Sequence, residues 1–170
     1  MPIDLIHPKP PPLAEFYDAF IREVIASYRR VTGLDLVRQE NLQPDRLGRS
    51  VYHGNFALLT HRGGPDAILN YGNAFALNLW DVTWPDFITM PSKLTAPDEG
   101  RETREALMES VRRNGFATGY DGIRISRKGW RFLIRDVTVW QLLDEAGRNF
   151  GVGAYFRNYE RLSAEPAAAQ

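Results

Sequence analysis

The chain contains no cysteine. That absence removes disulfides, zinc–thiolate sites, thiolate catalysis and any cysteinyl adduct with a flavin. Histidine is nearly absent as well. His7, His53 and His61 lie far apart without ligand spacing, which speaks against a histidine-bound metal or haem. Nor is there an excess of either charge, with 21 Lys plus Arg against 21 Asp plus Glu. A dedicated nucleic-acid surface needs concentrated positive charge, so DNA binding is not expected. No apolar run approaches the roughly 18 residues that cross a bilayer. The first residues, Met1-Pro-Ile-Asp-Leu-Ile-His7, lack a basic segment followed by an apolar one, so neither a membrane anchor nor a leader is expected. Together with the missing thiols this fits a cytoplasmic protein. Nucleophile–base pairs and phosphate-cradling glycine loops are also missing, so the expectation is a non-enzyme.

What remains is an ordinary globular composition, 44% hydrophobic and 25% charged over 170 residues, enough for one domain with a full core. Residues 1–12 end in Pro8-Lys-Pro-Pro-Pro12 and read as a Pro-rich flexible lead. Residues 161–170 read as a disordered tail. Between them, 13–42 form an amphipathic helix and linker. Leu13, Phe16, Tyr17, Phe20, Ile21, Val24 and Tyr28 recur at helical intervals up to Arg30, and Gly33 is placed to stop the helix. Its stripe needs a cover, in its own domain or in a second copy. A homodimer through Leu13–Arg30 is therefore expected, beside a possible protein partner.

The segment from 55 to 160 carries the domain. Asn55–His61 and Ala67–Tyr71 read as a hairpin around Arg62-Gly-Gly-Pro-Asp66. Tyr71-Gly72-Asn73 is a structural junction, with Asn73 capping a helix that carries Ala74, Leu77 and Trp80. Trp84-Pro-Asp-Phe87 opens a further turn, Met90–Ala96 is irregular, and Glu99–Asn114 is a helix whose charges, Arg104 among them, read as a solvated face. Three strands follow: Tyr120–Ser126, Trp130–Leu143 and Asn149–Tyr159. The fold class is α+β, five antiparallel strands with a helical block on one face.

The motifs Leu69-Asn-Tyr-Gly-Asn73, Leu79-Trp80, Met90-Pro-Ser-Lys-Leu-Thr-Ala96, Gly122-Ile-Arg-Ile-Ser126, Val139-Trp-Gln-Leu142 and Asp144-Glu-Ala-Gly147 fall in one order from Phe56 to Phe156. In that order they resemble the MEKHLA family, a PAS-like domain, in its bacterial stand-alone form. The string that names the family, Met-Glu-Lys-His-Leu-Ala, does not occur here. The resemblance implies a PAS-like five-stranded sheet with a ligand or partner site beneath the helices. It supplies no ligand, and the cofactor stays unknown.

Strand alternation then nominates ligand-facing residues. On the long strand these are Phe132, Asp136, Thr138 and Trp140, with Ile134 and Leu142 on the same face. Ile125 comes from the preceding strand, and Trp84, Met90 and Thr95 from the helical block. Asp136 is anomalous, because a buried unpaired carboxylate is costly. Either a bulge turns it outward, or it is a polar handle in the pocket. Opposite alternation places Leu133, Val137 and Val139 on the outer face. Trp80, Trp84, Trp130 and Trp140 serve either as core or as a stacking wall, with Trp130 exposed or stacked on Arg131. Met90–Ala96 is either a gate or a rigid connector. Three functions follow: a sensory or interaction domain, a structural dimerisation module with a filled core, and an enzyme titrating Asp136.

Overall fold

The computed structural model describes residues 16–162. The expected Pro-rich lead, Leu13 and the tail from 163 on lie outside it; the tail expected from 161 is corrected at its start, where Arg161 ends a strand opposite Phe132 and the Leu162 N–H donates to Arg131 O at 2.9 Å. Helix α1 (Asp18–Thr32) follows the apolar periodicity, with Ile21, Val24, Ile25 and Tyr28 buried along one stripe, but Phe16 and Tyr17 of the expected stripe precede it at φ 57° and 59°. Gly33 ends it at φ 76°, its N–H bonded to Arg29 O, a conformation that costs glycine little. The polar connection beyond contains two helices that periodicity does not announce, α2 (Leu36–Gln39) and α3 (Leu47–Tyr52). Both are too short to show a full turn pattern.

Strands β1 (Ala57–His61) and β2 (Leu69–Gly72) form the expected hairpin. Helices α4 (Ala74–Trp80) and α5 (Trp84–Phe87) follow, then a 3-10 turn at Ser92–Thr95 and helix α6 (Arg101–Asn114). The remaining strands are β3 (Phe116–Ile125), β4 (Arg131–Leu143), β5 (Asn149–Phe156) and β6 (Asn158–Arg161). They make one antiparallel sheet in the order β2-β1-β5-β4-β3, with β6 also paired to β4. The α+β class stands as expected. Several boundaries do not, most of all in the C-terminal strands. Strand β3 starts at Phe116 rather than Tyr120, directly after the Gly115 stop of α6. The last expected strand breaks at Arg157, so β5 and β6 share the length of β4.

Two bulges set the faces of the sheet. Between β3 and β4 the register runs Ala117 opposite Val139, Tyr120 opposite Val137 and Gly122 opposite Ile134. Strand β3 has an extra residue near Gly119 (φ 70°), and β4 has one at Arg135–Asp136, where Asp136 adopts φ 53°. Aspartate tolerates this left-handed conformation better than most side chains. Asp121 Oδ1 accepts the Asp136 N–H at 2.9 Å and holds the bulge. Asp136 is exposed, so the bulge alternative is the observed one.

The bulge reverses the alternation of everything after it. Phe132 and Ile134 face the helical block. Beyond Asp136, Val137 and Val139 take over that face with Gln141, while Thr138, Trp140 and Leu142 turn to the other. Helix α1 covers them there: the Tyr28 and Trp140 rings meet edge to face at 5.0 Å. The expectation of an outer face needing a cover is right, and its residues are corrected. Trp140 and Leu142 are the covered ones, and Val137 and Val139 are not.

Candidate functional site

Asn73 builds the junction at which the helical block leaves the sheet. Its Oδ1 accepts from Leu58 N at 3.1 Å and from Ala76 N at 3.2 Å, while Nδ2 donates to Val51 O and Phe56 O. Fully buried and fully bonded, it pins α3, β1 and α4 together. Gly72 sits where a Cβ would lie 2.5 Å from Phe87 Cε1, so only glycine admits the α5 ring so close to β2. Tyr71 packs against Tyr17, Phe20 and Trp84. All three junction residues act as architecture.

Between the helical block and the inner sheet face lies a cavity of about 630 Å³. Leu59, Val152, Ala154 and Phe156 line its floor from β1 and β5, with Ile134, Val137, Val139 and Gln141 from β4. Leu107, Met108 and Val111 of α6 form the roof, and Trp80 and Thr95 close one end. Trp80 Nε1 donates to Thr95 O at 3.0 Å, which fixes that wall.

The charged part of the lining has one sign. Arg62, Lys93, Arg104, Arg112 and Arg124 contribute, and no aspartate or glutamate does, beside uncharged polar groups such as Thr60, Gln141 and His61. Arg124 has room beside a glycine two residues before it. A Cβ on Gly122 would lie 2.4 Å from Tyr120 Oη and 2.8 Å from Arg124 Nη1, so both side chains fold across the space it leaves. The guanidinium sits 5.5 Å from the Tyr120 ring centroid and donates to Ile123 O at 2.9 Å. Burial lowers its proton affinity, Tyr120 opposes that shift, and the charge of Arg104 adds to it. Arg104 donates to Pro97 O at 2.8 Å and is half-buried, so it departs from the solvated face assigned to its helix. The others on that face do pair in solvent: Arg112 and Arg113 both reach Glu109. His61 Nδ1 accepts the Gly63 N–H at 3.0 Å, and burial lowers its pKa, so the ring is neutral with its proton on Nε2.

Of the nominated ligand-facing residues, Thr95 lines this cavity and the others do not. Trp140 is buried under α1 on the far side of the sheet. Thr138 and Asp136 border a smaller outer hollow of about 290 Å³ with Tyr28, Gln39 and Tyr155. Phe132 stands behind Trp80, ring centroids 5.3 Å apart. Trp84 belongs to the aromatic cluster with Tyr17 and Tyr71. Met90 serves the hairpin through its carbonyl, which accepts Leu69 N–H at 2.9 Å. Ile125 pairs with Arg131 at the end of β3. Trp130 is half-buried and stacked by Arg161, at 4.6 Å, where exposure or a stack on Arg131 was expected. Sequence reasoning missed Arg104, Arg124, Val139 and Gln141. The Tyr120-x-Gly122-x-Arg124 spacing, with a glycine between two long side chains on one strand face, was the available signal for Arg124.

Outside the cavity, Gln141 is tied on both sides. Its N–H donates to Gly115 O at 2.8 Å, and its carbonyl accepts from Ser27 Oγ of α1 at 3.1 Å. Ser27 Oγ in turn accepts the Leu143 N–H at 2.8 Å. Among the described residues no group of acidic, histidine or cysteine side chains could hold a metal, and no helix is long and apolar enough to cross a membrane.

An antiparallel sheet with a helical block over one face and a cavity between them is the fold of PAS and light-oxygen-voltage domains. The chain is similar to an RNA-binding light-oxygen-voltage receptor at TM-score 0.57 and 19% identity, over 68% of this chain and 33% of that one. It thus spans about a third of that receptor. It is also similar to a PAS domain from Colwellia psychrerythraea at TM-score 0.56 and 13% identity, over 75% of this chain and 98% of that one. The light-state dimer of the fungal photoreceptor Vivid aligns at TM-score 0.50 and 13% identity, over 59% and 76% of the two chains. Within that class, the sequence matches the MEKHLA domain over residues 18–161 and belongs to that family. The match takes in α1 as well as the sheet. No curated protein matches the sequence.

Proposed function

We propose that this chain is a non-catalytic sensory domain of the cytoplasm that binds a small molecule in the inner cavity and reports through α1. The observation that carries the reading is the cavity itself. At about 630 Å³ it lies in the range of small-molecule sites, on the order of 300–1,000 Å³. A filled structural module would have Trp140 and Phe132 plugging this space, and neither lines it. The enzyme alternative loses its named group, since Asp136 stands exposed on a bulge.

Gln141 supplies the route outward. Its side chain lines the cavity while its carbonyl bonds Ser27, so a ligand that shifts this residue shifts the contact holding α1. The α1 stripe is spent on its own sheet, which revises the dimer expectation: homodimerisation through this helix requires its release or its exchange between two copies. Vivid is described as a light-state dimer, which supports testing for one here.

Native mass spectrometry and an absorbance spectrum of the full chain purified from its own host test the reading. A retained small-molecule mass, with a subunit count that changes when it is stripped, is the expected result. A bare monomer that takes up no compound from a host extract would overturn it.

A further inference from the structure

The one-signed lining points to the class of ligand, granted that the cavity binds one. We propose that the ligand is an organic anion, its apolar body lying on Val137, Val139 and Met108 and its carboxylate or phosphate held by Arg124 and Arg104. In a chain with equal numbers of acidic and basic residues, a wall bearing several cations and no carboxylate is a biased selection.

Arg124 and Arg104 are the cations built into this wall. Each is half-buried, and their hydrogen bonds run through Nη1 to uncharged oxygens: Tyr120 Oη and Ile123 O for Arg124, Pro97 O and Glu99 O for Arg104. Neither has an ion-pair partner among the described residues, whereas Arg112 on the same wall is bonded to Glu109 at 2.8 Å. A guanidinium offers five donors in a planar fork, so Nε and Nη2 remain for a bidentate acceptor. Two such cations facing one apolar space repel each other, and their partial burial weakens the screening. An anion between them relieves both effects, and a cation there would worsen them. The Gly122 gap admits this placement: a Cβ there would press on Arg124 Nη1 and Tyr120 Oη, and the two side-chain ends would have to move aside.

Two matched pairs of probes test the proposal on the full chain by calorimetric titration. Decanoate is compared with 1-decanol, and 1-naphthyl phosphate with 1-naphthol. At least one anion is expected to bind about tenfold or more tightly than its neutral partner, as charge-assisted hydrogen bonds provide. The pair with the larger ratio distinguishes carboxylate from phosphate. Arg124→Gln and Arg104→Gln, made separately, are expected to reduce that ratio toward one while binding of the neutral partner is retained, which also reports that each variant is folded. If the neutral partners bind as tightly as the anions, or the preference survives both substitutions, the anion assignment is overturned and the sensory cavity stands. If none of the four probes binds, both are overturned.

Discussion

The two faces of the sheet are made from the same strands and finished in opposite ways. On the outer face Trp140 and Leu142 are buried beneath α1, the Tyr28 ring meets those of Trp140 and Tyr155 edge to face, and a smaller hollow of about 290 Å³ is left beside Thr138. On the inner face Val137, Val139 and Ala154 stop short of α6, and a ligand-sized space remains. The difference lies in side-chain size. Where α1 lies on the outer face the strands carry the large rings of Trp140 and Tyr155, whereas beneath α6 the inner face carries the small Val137, Val139 and Ala154, its own large rings, Phe132 and Phe156, lying against Trp80. Stability and binding are therefore expected to separate by face.

Substitutions across the sheet should expose that separation. Trp140→Ala is expected to cost about 3–5 kcal/mol, because it opens a large hole beneath a well-packed helix. Val139→Ala, its neighbour on the opposite face, should cost only about 1 kcal/mol, since its methyls already border open space. Urea unfolding of both variants checks the contrast, and equal losses would break it. Ser27→Ala comes between them at about 1–3 kcal/mol, because it leaves the Leu143 N–H without its acceptor. Hydrogen exchange at Leu143 should rise in that variant and show whether α1 loosens from the sheet.

Smaller effects are expected where backbone and charge are concerned. Asp136→Gly should stabilise by up to about 1 kcal/mol, by relieving the positive φ, and should leave ligand titrations unchanged. A loss of binding would return Asp136 to the cavity. At the start of α1, burial raises the pKa of Asp18, but the Gly48 N–H and Arg22 outweigh it and leave the carboxyl below its ordinary 3.8. A carboxylate lowered on folding stabilises above its unfolded value. That contribution begins to fall near pH 3.8 and is lost once pH drops below the lower folded value. Thermal melts of the wild type and Asp18→Asn should converge over that interval and differ at neutral pH.

The layout of the fold was legible because its signals are local. Asn73 caps where a cap is needed, Gly33 and Gly115 stop their helices, and the α1 stripe repeats at helical spacing. The candidate site was far less legible, for a physical reason. Alternation predicts faces only while the register is unbroken, and one residue at Arg135–Asp136 inverted every assignment after it. The sequence shows Asp136 as an anomaly, but not which way the strand resolves it. Arg104 was misread for a related reason. Helical spacing places it among solvated charges, whereas its guanidinium bonds the loop carbonyls of Pro97 and Glu99 beside the cavity.

The bulge on β4 also has a bearing on how such a domain could change its role. It works as a reading frame for the strand. Removing one residue there would exchange the two sets of side chains beyond it, bringing Trp140 and Leu142 in beneath α6 and sending Val139 and Gln141 out beneath α1. The former would occupy the open space, and the latter would leave the helix with little to grip. A single codon thus separates a sheet with an open inner cavity from a plugged one whose α1 would be free to find another surface.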